Sequence, residues 1–198
     1  SVLPPLAASR VGFAIAMPSP CSEAVVSVNV YWQRGVDFDD QGRAVRRVGD
    51  DLSWGKRLFK DIVGVYHIGV EVHGDEYAFC NLHAPNARQL GGEASGVFRH
   101  DPKLPGPHCV FKQAEHIGTT KYSRGEVEVI CTELGRTDYI LASYNRIEHN
   151  CADFACTLSS KLGAGEVPQW CYRGAAAAKM LGLGRLGGVG DEEEDTED

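Results

Sequence analysis

The most constraining feature of the sequence is a pair of strand-like segments joined by a very short turn. Residues 65–72 (VYHIGVEV) and 76–80 (EYAFC) are rich in β-branched and aromatic residues, and His73-Gly74-Asp75 separates them. Two such segments with a glycine-containing turn between them are typical of a β-hairpin. The sequence therefore predicts an antiparallel hairpin near the middle of the chain, and the fold must contain a sheet built around it.

A third strand-like segment lies upstream of this hairpin, over residues 25–32. Its alternate positions Val26, Val28, Val30 and Trp32 are large and apolar, which is the two-residue period of a strand with one buried face. We therefore predict a strand over these residues.

The other segments of the first half give weaker signals. Short strands are predicted at residues 97–98 and 110–111, and helical spacing of apolar residues predicts a short helix at 58–63. Polar composition predicts loops over residues 35–55 and 81–95. We expect these segments to connect the strands rather than to form a separate domain.

Two amphipathic helices are predicted in the second half of the chain, each preceded by a capping residue. Ser123 precedes an apolar stripe over residues 124–134, and Asn150 precedes another over 151–162. A third, alanine-rich helix is predicted over 175–181. Strands followed by helices indicate an α+β fold, with helices packed on a mostly antiparallel sheet.

Length and composition are compatible with one domain. The chain has 198 residues, of which 43% are hydrophobic. We expect an irregular arm over residues 1–24, a domain over 25–181, and a glycine-rich linker with an acidic, disordered tail over 182–198. The sequence shows no basic stripe typical of nucleic-acid binding and no apolar run near the roughly 20 residues of a membrane span, so neither function is predicted.

The cysteines argue against a secreted disulfide scaffold, because they are scattered and odd in number, at 7. We therefore expect free thiols in a reducing compartment, which favours a cytoplasmic location and is compatible with a nuclear one. Cys80 and His83 have a spacing found in metal sites, but no second pair accompanies them. The sequence accordingly predicts no metal site and no cofactor.

Among these thiols, Cys151 gives the strongest chemical signal, because it is predicted to begin a helix. The free N–H groups and the dipole at a helix N-terminus favour a thiolate, lower the thiol pKa and suit nucleophilic catalysis. His67, in the first strand of the hairpin, is the residue type of a general base. Sequence position alone does not join the two, so an inert thiol and a structural histidine remain the alternatives.

Two longer motifs resemble those of a known peptidase family. Residues 64–79 (GVYHIGVEVHGDEYAF) resemble the histidine motif of the PPPDE peptidases, which include the DeSI-type desumoylating and deubiquitinating isopeptidases. Residues 144–154 (YNRIEHNCADF) resemble the cysteine motif of that family. Shorter resembling segments occur in the family's order at residues 29–31, 96–98, 117–120 and 167–170, so the resemblance covers about residues 25–175.

This resemblance implies a permuted papain-like fold in which Cys151 is the nucleophile and His67 is the base. The implied reaction is hydrolysis of the bond between a ubiquitin or SUMO-type modifier and a target lysine, and a homodimer is compatible with the resemblance. The chain departs from the family pattern at Cys80, where a glycine is usual, and at Ala152-Asp153, where Asn-His is usual. A protein S-acyl thioesterase with the same dyad and a catalytically silent binding module therefore remain alternatives.

Other residues have secondary roles in this interpretation. Asn150 and Asn81 are candidates for stabilising an oxyanion or orienting the imidazole of His67. Trp170 and Tyr77 are candidates for lining the substrate groove. His149 precedes the cysteine motif and is expected to pack or to cap the following helix.

Overall fold

The computed structural model describes residues 23–34, 36–38, 44–46, 66–80, 86–104 and 106–181. The strands in these residues are β1 (Ala24–Gln33), β2 (Val36–Phe38), β3 (Ala44–Arg46), β4 (Tyr66–Val72), β5 (Asp75–Phe79), β6 (Arg88–Leu90), β7 (Val97–His100) and β8 (Cys109–Thr120). The helices are α1 (Arg124–Thr137), α2 (Cys151–Lys161) and α3 (Arg173–Met180), with 3₁₀ turns at Leu141–Ser143 and Gln169–Cys171.

Six of the strands form one antiparallel sheet in the order β6-β7-β5-β4-β1-β8, and β2 and β3 form a separate antiparallel pair. The helices follow the sheet in sequence, and α2 packs on β4 and β5. The predicted α+β class is therefore confirmed.

The predicted hairpin is formed by β4 and β5, and its turn is tighter than expected. Val72 pairs with Asp75, so only His73 and Gly74 lie in the turn. Both have positive φ angles, 54° and 75°, as the favoured two-residue hairpin turns require. The glycine adopts this conformation without a steric penalty, and Asp75 belongs to the second strand rather than to the turn.

The strand β1 is central because it pairs with β4 on one side and β8 on the other. The predicted apolar face is confirmed at Val26, Val28 and Val30, which are fully buried. They pack in one core with the alternate residues of β4 and with the buried face of α2. Its members from β4 and α2 include Ile68, Val70, Val72, Phe154, Ala155 and Leu158.

Three predictions about the strands were wrong. Residues 35–55 contain the pair β2 and β3, residues 81–95 contain β6, and the strand at 110–111 extends over 12 residues as β8. β8 lies at an edge of the described sheet and shifts register twice against β1. Because both bulges interrupt the alternation of buried and exposed residues, no two-residue period reveals this strand in the sequence.

Both predicted helix caps are confirmed, and each forms a complete capping box. Ser123 and Glu126 begin α1, and Asn150 and Asp153 begin α2. α1 ends three residues later than predicted, and α3 begins at Arg173 rather than at residue 175.

Some predictions concern other parts of the chain. The arm through residue 22, the helix at 58–63 and the linker and tail from 182 onwards lie outside the described residues. Within the described part, none of the helices is long and apolar enough to cross a membrane.

Candidate active site

Cys151 is the first residue of α2, and the cap of that helix fixes its position. The Asn150 Oδ1 accepts a hydrogen bond of 2.8 Å from the Ala152 N–H, and the Asp153 carboxylate accepts one of 3.0 Å from the Asn150 N–H. The side chain of Cys151 is buried, with 3% of the residue exposed. The candidate nucleophile is therefore held at the start of a well-capped helix that packs on the sheet.

The thiol of Cys151 lies against the backbone of β4. Its Sγ is 3.8 Å from the carbonyl oxygen of Tyr66, to which the thiol donates, and the N–H of Ile68 donates to the sulfur. Tyr66 and Ile68 are the two residues that flank His67. The structure thus brings Cys151 next to the segment of β4 that carries the predicted base.

The position of the thiol follows from the way β4 and β5 separate. The described pairing of β4 with β5 runs only from Val70 to Val72. At Tyr66 and Ile68, the edge of β4 that would face β5 is therefore open. Backbone groups of alternate strand residues point to the same side, and Tyr66 and Ile68 therefore face this open edge. The thiol of Cys151 occupies it, between the two faces of the sheet.

His67 lies opposite Tyr31 of β1 in the register of the sheet. Strand alternation puts its side chain on the face opposite to Tyr66 and Ile68, which belong to the main core. The imidazole centroid is 5.9 Å from the ring of Tyr31 and 6.0 Å from the ring of His108. Two aromatic rings therefore flank the imidazole on this face of the sheet.

Burial sets the protonation of both groups. Burial raises the pKa of Cys151 to about 11, although the N–H groups of Ile68, Cys151 and Ala152 oppose this shift. Burial, together with the charges of His108 and His100, lowers the pKa of His67 to about 3. The expected lowering of the thiol pKa is therefore wrong for this structure, because the helix N-terminus does not offset desolvation. Both groups are neutral near pH 7.

Asp153 does not act on the imidazole. Its carboxylate is committed to the Asn150 N–H and to Lys179 of α3, whose Nζ lies 2.8 Å from Oδ1. Its negative charge still contributes to the raised pKa of Cys151. At this position, where the family usually has a histidine, the chain therefore carries a paired carboxylate.

The predicted orienting residues have different outcomes. All the polar atoms of the Asn150 side chain bind backbone: Oδ1 caps α2, and Nδ2 donates to the carbonyls of Arg146 and Ile147 at 3.2 and 3.4 Å. Asn150 therefore positions the helix that carries Cys151. Asn81 lies outside the described residues, and its role stays a prediction.

The two predicted groove residues also differ. Trp170 is partly exposed, packs edge-to-face on Tyr66 with centroids 5.6 Å apart, and lies near the ammonium of Lys112. Its role in a groove stays a prediction. Tyr77 is fully buried in the hydrophobic core, which contradicts its assignment to a substrate groove.

His149 packs in the core, as expected. Its ring stacks on Tyr139 at 4.8 Å and contacts Phe79 at 5.4 Å. Its Nδ1 lies 3.2 Å from both the hydroxyl and the carbonyl oxygen of Ser143. These contacts support the structural role that was expected for His149, which is half-buried.

Sequence reasoning missed three residues around the site. His108 and Tyr31 contact the imidazole of His67, and Tyr144 is buried close enough to Cys151 for the thiol to raise its pKa. Tyr144 begins the cysteine motif, which was the only available signal for it. His108 lies in an irregular segment before β8, where no period indicates which side chains point inward. Among the described residues, no three His, Cys, Asp or Glu side chains converge as metal ligands.

A buried thiol at a helix N-terminus, held beside a strand that carries a histidine, is an arrangement typical of cysteine peptidases. Residues 27–185 match the sequence model of the "PPPDE putative peptidase domain". This match covers most of the chain, which therefore belongs to the PPPDE peptidase family.

Curated relatives agree with this family. The chain is 30% identical over 130 residues to a desumoylating isopeptidase 1 homolog of Caenorhabditis elegans. The matched region covers 62% of this chain and 35% of the relative. It is 28% identical over 111 residues to a DeSI-like protein of Arabidopsis thaliana, covering 56% and 45% of the two chains. A DeSI-like protein of Schizosaccharomyces pombe is 26% identical over 111 residues, covering 56% and 51%. The chain thus spans about a third to a half of the length of these relatives.

Proposed function

We propose that the chain is a cysteine isopeptidase that hydrolyses the bond between a ubiquitin-like modifier and a target lysine. Cys151 is the nucleophile and His67 is the general base. The observation that carries the proposal is the position of the Cys151 Sγ, which is hydrogen-bonded to backbone on both sides of His67. Family membership and the desumoylating isopeptidase homolog among the relatives support this substrate class.

The reaction starts from a neutral thiol and a neutral imidazole. As the Sγ of Cys151 attacks the carbonyl carbon of the modifier's last residue, the thiol proton passes to His67. Because the pKa values of about 11 and about 3 disfavour a standing ion pair, this transfer accompanies the attack instead of preceding it. Substrate binding that hydrates or polarises the site would reduce this barrier.

The second half of the cycle reverses the proton transfer. The imidazolium of His67 gives its proton to the lysine Nζ as the C–N bond breaks, and a thioester forms on Cys151. Water, deprotonated by His67, then hydrolyses the thioester and releases the modifier with a free carboxylate. The N–H of Cys151, in the first turn of α2, is the backbone donor best placed to stabilise the oxyanion.

The modifier is proposed to be SUMO first and ubiquitin second, because one relative is a desumoylating isopeptidase homolog. Conjugates of both occur in the reducing compartments that the free cysteines favour. In the described part of the chain, the free thiols are Cys80, Cys109, Cys131, Cys151, Cys156 and Cys171. A cytoplasmic or nuclear location is therefore part of the proposal.

A protein S-acyl thioesterase is the second candidate, and one observation favours it. A thiol leaving group departs as a thiolate without first being protonated, whereas an amine must be protonated. In thioester hydrolysis His67, whose pKa is lowered, is therefore needed as a base toward Cys151 but not as a general acid toward the leaving group. The same two residues, Cys151 and His67, would perform both reactions.

The test is intact mass after incubation with SUMO, ubiquitin and other modifiers that carry a C-terminal electrophile. Wild type, Cys151→Ala and His67→Ala are compared, with Cys156→Ala as a control for a second thiol of α2. We expect a single adduct that disappears in Cys151→Ala and forms much more slowly in His67→Ala. No adduct with any modifier, together with turnover of an S-acylated peptide, would contradict the isopeptidase and establish the thioesterase. If neither reaction occurs, the chain is a binding module.

A further inference from the structure

A buried carboxylate, Glu76 of β5, lies on the same side of the sheet as His67 and is not used by the proposed chemistry. It is fully buried. Its Oε2 accepts hydrogen bonds from Asn29 Nδ2 at 2.7 Å, from the Tyr31 hydroxyl at 2.7 Å and from the Lys103 N–H at 3.1 Å. Burial raises the pKa of this carboxyl, and the hydrogen bonds from its donors oppose that shift, so the group depends on its partners to compensate the loss of hydration. The three donors come from β1 and from the segment between β7 and β8.

The first partner, Tyr31, connects Glu76 to the imidazole. The two residues Tyr31 and His67 are directly paired across β1 and β4, and their rings are 5.9 Å apart at an angle of 38°. The hydroxyl bond to Glu76 fixes the tilt of the tyrosine ring at its far end, and Phe111 contacts it edge-to-face at 5.8 Å. The tyrosine ring is therefore a fixed wall beside His67.

The second partner, Lys103, connects Glu76 to the other neighbour of the imidazole. Its backbone has a φ of 62°, an unfavourable conformation for a residue with a side chain, and its N–H points at Glu76. The same segment continues to His108, whose ring is 6.0 Å from that of His67. Glu76 thus anchors the segment that supplies the second ring next to the base.

The carboxylate of Glu76 lies very close to the backbone of Gly69 in β4, where only a glycine leaves room for it. A Cβ at Gly69, two residues after His67, would lie 2.3 Å from the Oε1 of Glu76. Glu76 therefore packs directly on the backbone of the strand that carries His67. Glu71 belongs to the same polar cluster, since it accepts from Asn29 and pairs with the Lys103 Nζ at 3.1 Å, but it is partly exposed.

We propose that Glu76 is a positioning residue for His67, acting through the Tyr31 ring and through the Lys103–His108 segment that flank the imidazole. This inference rests on the proposed function of His67 as the base. A Cys–His dyad lacks a third residue that hydrogen-bonds the imidazole and orients it, as Asp does in a catalytic triad. Among the described residues, two anchored rings flank the imidazole and hold it toward the open edge where Cys151 lies.

The test compares Glu76→Gln with Tyr31→Phe and with the control Glu71→Gln. The Tyr31 hydroxyl also donates to the Oε1 of Glu76 at 2.9 Å. A glutamine keeps one acceptor oxygen and puts an N–H₂ donor in place of the other, so it cannot satisfy all of the donors around Glu76. We expect kcat for a modifier–lysine conjugate to fall about 10- to 100-fold in Glu76→Gln, with KM within about twofold of wild type, because misplacement of a catalytic group costs rate more than binding. We expect Tyr31→Phe to lower kcat as well, and Glu71→Gln to leave kcat at the wild-type value.

A second readout does not depend on turnover. The imidazole ¹⁵N and ¹³C resonances of His67 should shift in Glu76→Gln and Tyr31→Phe but not in Glu71→Gln, with the melting temperature recorded for each. If wild type cleaves no conjugate, the proposed function fails while these resonances still decide the positioning role. If Glu76→Gln does not fold, Tyr31→Phe decides. Unchanged His67 resonances and kcat in a folded Glu76→Gln or in Tyr31→Phe would overturn the proposal.

Discussion

The ammonium of Lys179 in α3 lies 2.8 Å from the carboxylate of Asp153 in the first turn of α2. Asp153 is two residues from Cys151, and its negative charge is one of the causes that raise the thiol pKa. The last helix in the described part of the chain therefore supplies a positive charge that partly balances a carboxylate close to the candidate nucleophile.

We expect Lys179→Met to slow alkylation of Cys151 by a small electrophile near pH 8. The unbalanced carboxylate of Asp153 disfavours the thiolate, and because the pair is partly exposed the effect should be about two- to threefold. Lys161→Met, which removes a lysine from the other end of α2, serves as the control. A rate equal to that of wild type in Lys179→Met would show that the charge pair does not reach the thiol.

The lowered pKa of His67 should appear as acid sensitivity of the fold. Its pKa falls from 6.5 to about 3, so the unfolded chain binds a proton that the folded chain does not. The stabilising contribution is complete above pH 6.5 and is lost as the pH falls toward 3. Between pH 7.5 and 5 this group alone should cost about 2 kcal/mol of unfolding free energy.

Urea unfolding of wild type and His67→Asn at these two pH values measures this effect. The difference between the two pH values should be smaller in His67→Asn by that amount, whereas His116→Asn, an exposed histidine of β8, should behave as wild type does. An equal pH dependence in wild type and His67→Asn would mean that the imidazole is hydrated in solution.

The cap of α2 should affect both stability and reactivity. Asn150→Ala removes the acceptor for the Ala152 N–H and should destabilise the fold by about 1 kcal/mol. Ser123→Ala, at the cap of α1, should cost a similar amount but leave the alkylation rate of Cys151 unchanged. Thermal melts and alkylation rates of both variants test this. If Cys151 is alkylated at equal rates in Asn150→Ala and Ser123→Ala, the cap of α2 does not determine the position of the thiol.

Two glycines should respond to alanine in opposite directions. Gly69→Ala forces a Cβ to within 2.3 Å of the Glu76 carboxylate, which is buried and cannot withdraw without losing its hydrogen bonds. We expect a loss of about 1–3 kcal/mol, as for overpacked cores. Gly125→Ala, in the first turn of α1, meets no atom within 4 Å and should stabilise the fold by about 0.4–1 kcal/mol. Chemical denaturation of both variants gives the signs.

The features that sequence reasoning predicted well are those with a local signal. The alternation in β1, the hairpin turn at Gly74, and the caps at Ser123 and Asn150 are each determined by a few adjacent residues. The position of Cys151 at the start of a helix followed from the same local signal. The placement of Cys151 against the β4 residues that flank His67 was expected only through the family resemblance.

The features that sequence reasoning missed depend on long-range packing. The raised pKa of Cys151 depends on burial of the thiol, which no local pattern of α2 reports. The contact of His108 with His67 depends on the path of an irregular segment. Tyr77 is a residue type that often lines substrate grooves, but it pairs with Val70 and is buried in the core.

The edge strand β8 has one more consequence, which concerns association between copies of the chain. A long, regular edge offers a row of backbone donors and acceptors to any other exposed strand and promotes aggregation. In β8 the extra residues Lys112 and Ile117 interrupt this row at two points, where the register against β1 shifts. These two interruptions divide β8 into short stretches, which removes the long flat run that sheet-to-sheet growth needs.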